Sequence, residues 1–190
     1  MGFALARIFT ILTMFAVLAV GATLMLGLGL RSVDIRDATD NGAQRLATVH
    51  RLSGIAASIA VVFVNSIVLV YFIGASRWCK EVSDAYQLDS SLVRRSNALK
   101  RRTFPFAVGN MLVVVGIIAL GGAGDPAGTF RAAAPFGLKW SELHFAAAAA
   151  GLGFIVWASY LEANNIRANH IVVTEVMDRV KKIRDERGLA

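Results

Sequence analysis

Two histidines, His50 and His144, stand out in a chain with few other groups that could do chemistry. Each heads a run of small residues on its own helical face. Gly54, Ala57 and Ser58 follow His50, and Ala147, Ala148 and Gly151 follow His144. Two imidazoles facing each other across a helix bundle are the axial ligands of a b-type haem, and small residues beneath them would admit a flat macrocycle between helices. Small residues at i, i+3 and i+4 are equally the device by which helices approach closely in lipid. His50 and His144 are therefore the candidate haem or metal ligands, with haem b the cofactor they would hold.

The remaining candidates are sparser. Asn65 and Asn110 lie inside apolar stretches at similar depth, and an amide–amide hydrogen bond between neighbouring helices would contribute roughly 0.6–2 kcal/mol. A substrate path is the sharper alternative for such polar groups, although transport pathways usually carry intramembrane charges or broken helices. Glu162 falls at the edge of an apolar stretch, where it can reach water. His170 reads as a solvated helix residue. Cys79 is the only cysteine, so no intrachain disulfide can form. Its neighbours Trp78 and Lys80 supply basic company that would lower a thiol pKa, but no second thiol or paired histidine accompanies it. A phosphate-binding glycine pattern, a zinc-binding His-Glu-x-x-His and a serine nucleophile elbow are all missing, which argues against a standard hydrolytic enzyme.

One short motif resembles a known family. His50-Arg51-Leu52-Ser53-Gly54 is similar to the His-Arg-x-Ser/Thr-Gly stretch that opens the first span of the cytochrome b subunit of succinate dehydrogenases. The resemblance covers five residues. It differs in context: here the motif opens a second span at the outer face, and that family's second histidine motif has no counterpart around His144. Its quinone and haem assignments are accordingly not transferred.

The elements that must position these residues are apolar helices. The chain has 190 residues, 56% hydrophobic and 17% charged, with mean hydropathy +0.57. A soluble domain carries roughly a quarter charged residues. Uncharged runs over 8–30, 52–76, 103–124 and 143–161 each supply about the 20 residues needed to cross a hydrocarbon layer. The first exceeds the roughly 7–15 residues of a signal-peptide core and lacks a small-residue cleavage site before Arg31, so it reads as a retained span. The expected fold is an all-α membrane protein, a four-transmembrane-helix bundle (1–163) with helical cytoplasmic extensions.

Charge placement sets the orientation. Of the 20 basic residues, 14 lie at Arg7, in the loop from Arg77 to Arg102 and in the tail from Arg167 to Arg187; the two other loops hold six. The positive-inside bias puts both termini and the middle loop in the cytoplasm of a multi-pass cell-membrane protein. The +7 net charge fits contact with anionic lipid, and no aromatic-studded basic stripe suggests nucleic acid. The outer loops read as connectors, with a turn at Asp40-Asn41-Gly42 and an irregular stretch from Gly121 to Gly128.

The spans should continue inward as helices. Trp78 to Tyr86 and Ser91 to Lys100 are expected to form a helical hairpin over about 77–102, broken at Gln87-Leu88-Asp89-Ser90. The tail, 164–190, repeats Ile166, Val173 and Val180 every seven residues, with Asn169, Val176 and Ile183 interleaved. That is an a/d seam over about three heptads. It either packs on the hairpin or forms a partner-binding face, through Ile166, Val173, Val176, Val180 and Ile183, for self-association or another subunit. The sequence alone thus favours a non-catalytic subunit or scaffold of a larger membrane assembly. A bis-histidine membrane cytochrome or electron-transfer subunit is the alternative, and a small transporter the third reading.

Overall fold

The computed structural model describes residues 2–31, 41–125, 130 and 132–188, with side chains from residue 7 onward. It is all-helical: α1 (Gly2–Leu30), α2 (Asn41–Tyr86), α3 (Ser90–Gly124) and α4 (Trp140–Glu186), with a 3-10 turn at Pro135–Gly137 and no strand among the described residues. All four helices are long and apolar enough to cross a membrane. At 46 and 47 residues, α2 and α4 are about twice the length a crossing requires.

Several expected boundaries move. Asn41 and Gly42 open α2 instead of forming a turn, and Asp40 lies outside the described residues. Gly121, Gly122 and Gly124 belong to α3, so the expected irregular stretch begins later; 126–129 lie outside the described residues. Two of these glycines lie where a side chain would meet a neighbouring element: a Cβ on Gly121 would stand 3.0 Å from His144 Cε1, and one on Gly124 3.3 Å from the Ser141 amide nitrogen. The hairpin helices expected near 78–86 and 91–100 are the uninterrupted ends of α2 and α3.

The turn between them has a clear local cause. Gln87 takes a left-handed conformation, φ 54°, which ends α2. Asp89 then caps α3 by accepting hydrogen bonds from the Ser91 amide and hydroxyl at 2.9 and 2.7 Å. These bonds hold the Asp89 carboxyl below its usual range. At the start of α4, Glu142 Oε2 accepts from the Lys139 amide at 2.9 Å, the return half of a capping box. Gly188, φ 65°, follows the end of α4.

The chain divides into two compact units. One is formed by the segment up to Thr10, Asn65 to Val108, and Ala158 onward. Its apolar core is Cys79, Leu92, Val172 and Val176, with Val82, Leu88, Leu99, Val173 and Val180 packed against it. Burial raises the Cys79 thiol pKa, opposed in part by a hydrogen bond with Ser96, so the lowering expected from its basic neighbours does not occur. The heptad seam is covered from within the chain. Ile166, Asn169 and Val176 are buried, Val173 and Val180 partly so, and Ile183 is intermediate.

Polar groups tie this unit together. Asn169 donates to the Tyr71 hydroxyl at 3.1 Å and accepts from Ser96 at 2.9 Å. Because the single Ser96 proton is used there, Ser76 is the donor in the 3.2 Å Ser76–Ser96 contact. Asn165 donates to Thr103 at 3.0 Å. Asn65 and Glu162 in this unit are buried as well. The other unit, Ile11 to Val64 with Gly109 to Trp157, contains buried Asn110 and both candidate ligand histidines.

Candidate functional site

His50 sits near the start of α2 and His144 near the start of α4, both half-buried. Their ring centroids are 6.1 Å apart, with the ring planes at 81°. Each ring is oriented from outside its own helix. His50 Nδ1 lies 3.1 Å from the Thr23 carbonyl of α1, and His144 Nδ1 lies 3.0 Å from the Ile117 carbonyl of α3. A carbonyl oxygen only accepts, so Nδ1 carries the hydrogen in both rings. In the neutral form Nε2 then carries the lone pair. A backbone carbonyl fixing the tautomer of a ring whose other nitrogen is free is the standard second layer of a histidine metal ligand.

Glycines give each ring its place. A Cβ on Gly27 would stand 2.9 Å from His50 Cε1, and one on Gly121 would stand 3.0 Å from His144 Cε1. The small residues singled out in the sequence do something different. A Cβ at Gly54 would meet Thr23 Cγ2 at 3.5 Å, and one at Gly151 would meet Ile117 Cδ1 at 2.7 Å and Val113 Cγ1 at 2.9 Å. Ala57, Ser58 and Ala148 are buried. Below the histidines, α1 and α3 already occupy the small faces of Gly54 and Gly151, so those faces serve helix contact, and a ligand of the two imidazoles would be held at the rings and not in the slot expected beneath them.

The two histidine environments are one arrangement used twice. The carbonyl and histidine are separated by 27 residues in both cases. In each, the glycine lies four residues after the residue whose carbonyl accepts the bond, so Thr23, Gly27 and His50 map onto Ile117, Gly121 and His144 at a constant offset of 94 residues. The match extends along the helices. Ala57, Val61 and Val64 are buried, as are Gly151, Ile155 and Ala158; Phe9 and Thr103, Ala16 and Asn110, and Asn65 and Ser159 are further pairs of buried equivalents. The α1–α2 hairpin and the α3–α4 hairpin are thus two versions of one unit, each contributing one imidazole.

Cross-contacts beside the histidines follow the same rule. Arg51, next to His50, reaches Asp125 at 2.9 Å. Arg31 lies 4.8 Å from the centroid of Phe145, next to His144. At the 94-residue offset, Arg31 is equivalent to Asp125 and Arg51 to Phe145. One brace between the hairpins therefore appears twice, as an ion pair and as a cation–π contact.

Sequence reading singled out both histidines and missed Gly27, Gly121, Arg31 and Asp125. The available signal was the repeat itself, visible when the chain is laid on itself at an offset of 94. His170 lies in the other unit. No group of three His, Cys, Asp or Glu residues able to hold a metal occurs among the described residues. No protein-family model, curated protein or solved structure matches this chain.

Proposed function

We propose that this chain is a multi-pass integral membrane protein whose His50–His144 pair ligates a b-type haem, and that it serves as an electron-carrying subunit of a larger membrane assembly. The observation that carries the reading is the matched pair of imidazoles, each fixed by a carbonyl through Nδ1, with centroids 6.1 Å apart. Two metal–nitrogen bonds of about 2.0–2.1 Å, with the half-widths of two imidazole rings added, span about 6 Å. Donor number selects the metal. A bare structural zinc needs four ligands and a catalytic zinc three from protein, whereas haem iron needs only two axial ones because the porphyrin supplies the rest. Two imidazoles, with no third ligating side chain grouped with them among the described residues, suit haem.

Membrane insertion is supported by an inside-out distribution of polarity. Ile11, Phe15, Leu18, Met25, Val70 and Leu112 are more than half exposed, while Ser96, Thr103, Asn110, Glu162 and Asn169 are fully buried. Water would reverse that arrangement; hydrocarbon favours it. With both termini cytoplasmic, as the basic residues indicate, His50 and His144 stand toward the outer face.

The direct test is the visible spectrum of protein produced with ample haem and purified in mild detergent. A Soret band with sharp α and β bands on reduction is expected, and protein without a Soret band overturns the reading. A cofactor-free scaffold is the second reading, favoured by the hydrogen-bonded packing of Tyr71, Ser96 and Asn169. It predicts that His50→Ala and His144→Ala leave assembly with partner subunits intact.

A further inference from the structure

Among the described residues, Glu162 is the one acidic or basic side chain in the buried core, at 0% exposure. Taking a carboxylate out of water carries a heavy penalty, which a carboxyl avoids by keeping its proton. The fold does not demand an acid at this place. At the 94-residue offset the equivalent position is Val68, 1% exposed, so an aliphatic side chain fills the same place in the first hairpin. The cations that border the apolar stretches of this unit, Arg7, Arg77, Arg102 and Arg167, are all exposed. The other partly or fully buried titratable groups of the unit are Tyr71, Cys79 and Tyr86 on α2, Lys100 on α3, and His170 and Glu175 on α4.

A polar face leads on from the acid. Glu162, Asn165 and Asn169 recur at i, i+3 and i+7, which places them on one side of α4. Asn165 donates to Thr103 at 3.0 Å. Asn169 donates to the Tyr71 hydroxyl at 3.1 Å and accepts from Ser96 at 2.9 Å, and Ser96 in turn meets Ser76 at 3.2 Å. Thr103, Ser96 and Asn169 are fully buried, whereas Tyr71 is partly exposed. Hydroxyl and amide groups both donate and accept, so such a face offers a proton the stations that aliphatic neighbours lack.

We propose that Glu162 is a proton-binding site, whose carboxyl takes up and releases a proton inside the bundle with Asn165 and Thr103 as the first polar groups on the way toward Tyr71. The step is a simple exchange. The Glu162 O–H bond breaks, the proton passes along the polar face to solvent, and the carboxylate stays behind; uptake is the reverse. His50 and His144 take no part, so the inference stands apart from the haem reading.

The test is the infrared spectrum of the full-length protein in mild detergent, read at the carbonyl stretch of a protonated carboxylic acid. Wild type at neutral pH is expected to show this band, which gives way to ionised carboxylate as pH rises and shifts when water is replaced by deuterium oxide. Glu162→Gln should abolish it. Glu162→Asp should keep it at an altered frequency, so the assignment stands on a second variant if Glu162→Gln does not fold. Thr103→Val should slow the deuterium shift severalfold and leave the band itself in place. Wild type without a protonated carboxyl at neutral pH, or a band unchanged in both Glu162 variants, overturns the proton site. A deuterium shift as fast in Thr103→Val as in wild type overturns the route through Thr103. The same spectrum is expected with or without haem, so a missing Soret band does not bear on it.

Discussion

The imidazoles owe their placement to two missing methyl groups. A Cβ at Gly27 or Gly121 would stand 2.9 or 3.0 Å from a ring carbon, and the ring cannot retreat without losing its carbonyl hydrogen bond at 3.1 or 3.0 Å. Overpacking of this kind costs about 1–3 kcal/mol. Gly27→Ala and Gly121→Ala should each weaken haem binding by about tenfold or more when haem is titrated into the apoprotein in mild detergent and followed by the Soret band. Gly122→Ala, where an added Cβ meets nothing within 4 Å, should leave it unchanged. A weakened Gly122→Ala alongside intact Gly27→Ala would contradict the assignment. At this scale the sequence reveals ligating residue types but not their clearance. Histidine is rare here and visible by type, whereas Gly27 and Gly121 are two of 17 glycines. What distinguishes them is a contact between helices. The small residues after each histidine are real features of the sequence, yet Thr23, Val113 and Ile117 occupy the faces of Gly54 and Gly151. Periodicity along one helix does not report which neighbour fills a face.

Among the elements, the tail of α4 is held by both apolar and charged contacts. Val172 and Val176 join Cys79 and Leu92 in a buried cluster, and Glu175 accepts from Arg95 at 2.6 Å and Arg179 at 2.8 Å. Those hydrogen bonds hold the Glu175 carboxyl below its ordinary 4.5. A group whose pKa is lower in the folded state adds stability above its unfolded value and loses it as pH falls through the folded one. Docking of the tail, measured by limited proteolysis in detergent, should therefore be constant above about pH 4.5 and weaken below it. Arg95→Gln should shrink that acid-dependent change, and a profile unchanged by Arg95→Gln would contradict the pairing. The heptad seam was legible because Ile166, Val173 and Val180 repeat at fixed spacing, but its partner was not. A seven-residue repeat states that a face is to be covered, and the cover here comes from the ends of α2 and α3. The element ends were also obscured. Asn41-Gly42 and Gly121 carry turn chemistry in isolation, yet Asn41 and Gly42 open α2 and Gly121 lies inside α3, where it packs on the His144 ring.

Over the whole chain, α1–α2 and α3–α4 each carry one imidazole fixed by a backbone carbonyl, at positions 94 residues apart. The long uncharged apolar runs were enough to reveal four helices of membrane-crossing length. The internal duplication is only faintly legible by residue identity: Gly27 and Gly121, and His50 and His144, keep their types at the 94-residue offset, whereas Val68 and Glu162 or Phe72 and Ile166 share burial and differ in chemistry. Orientation is a prediction at this scale. In intact cells, epitope tags at both ends should resist external protease and become cleavable only after the membrane is opened; cleavage of either tag from outside would contradict the cytoplasmic assignment. The central claim is that His50 and His144 bind one iron. The most direct measurement is the low-temperature electron paramagnetic resonance spectrum of the oxidised protein and its two single variants. Wild type should give the highly anisotropic low-spin signal of two near-perpendicular imidazoles, in keeping with ring planes at 81°. His50→Ala and His144→Ala should each lose it, either to a high-spin signal or with the haem itself. A low-spin signal that survives either substitution unchanged, or wild type with no iron signal, would contradict the account.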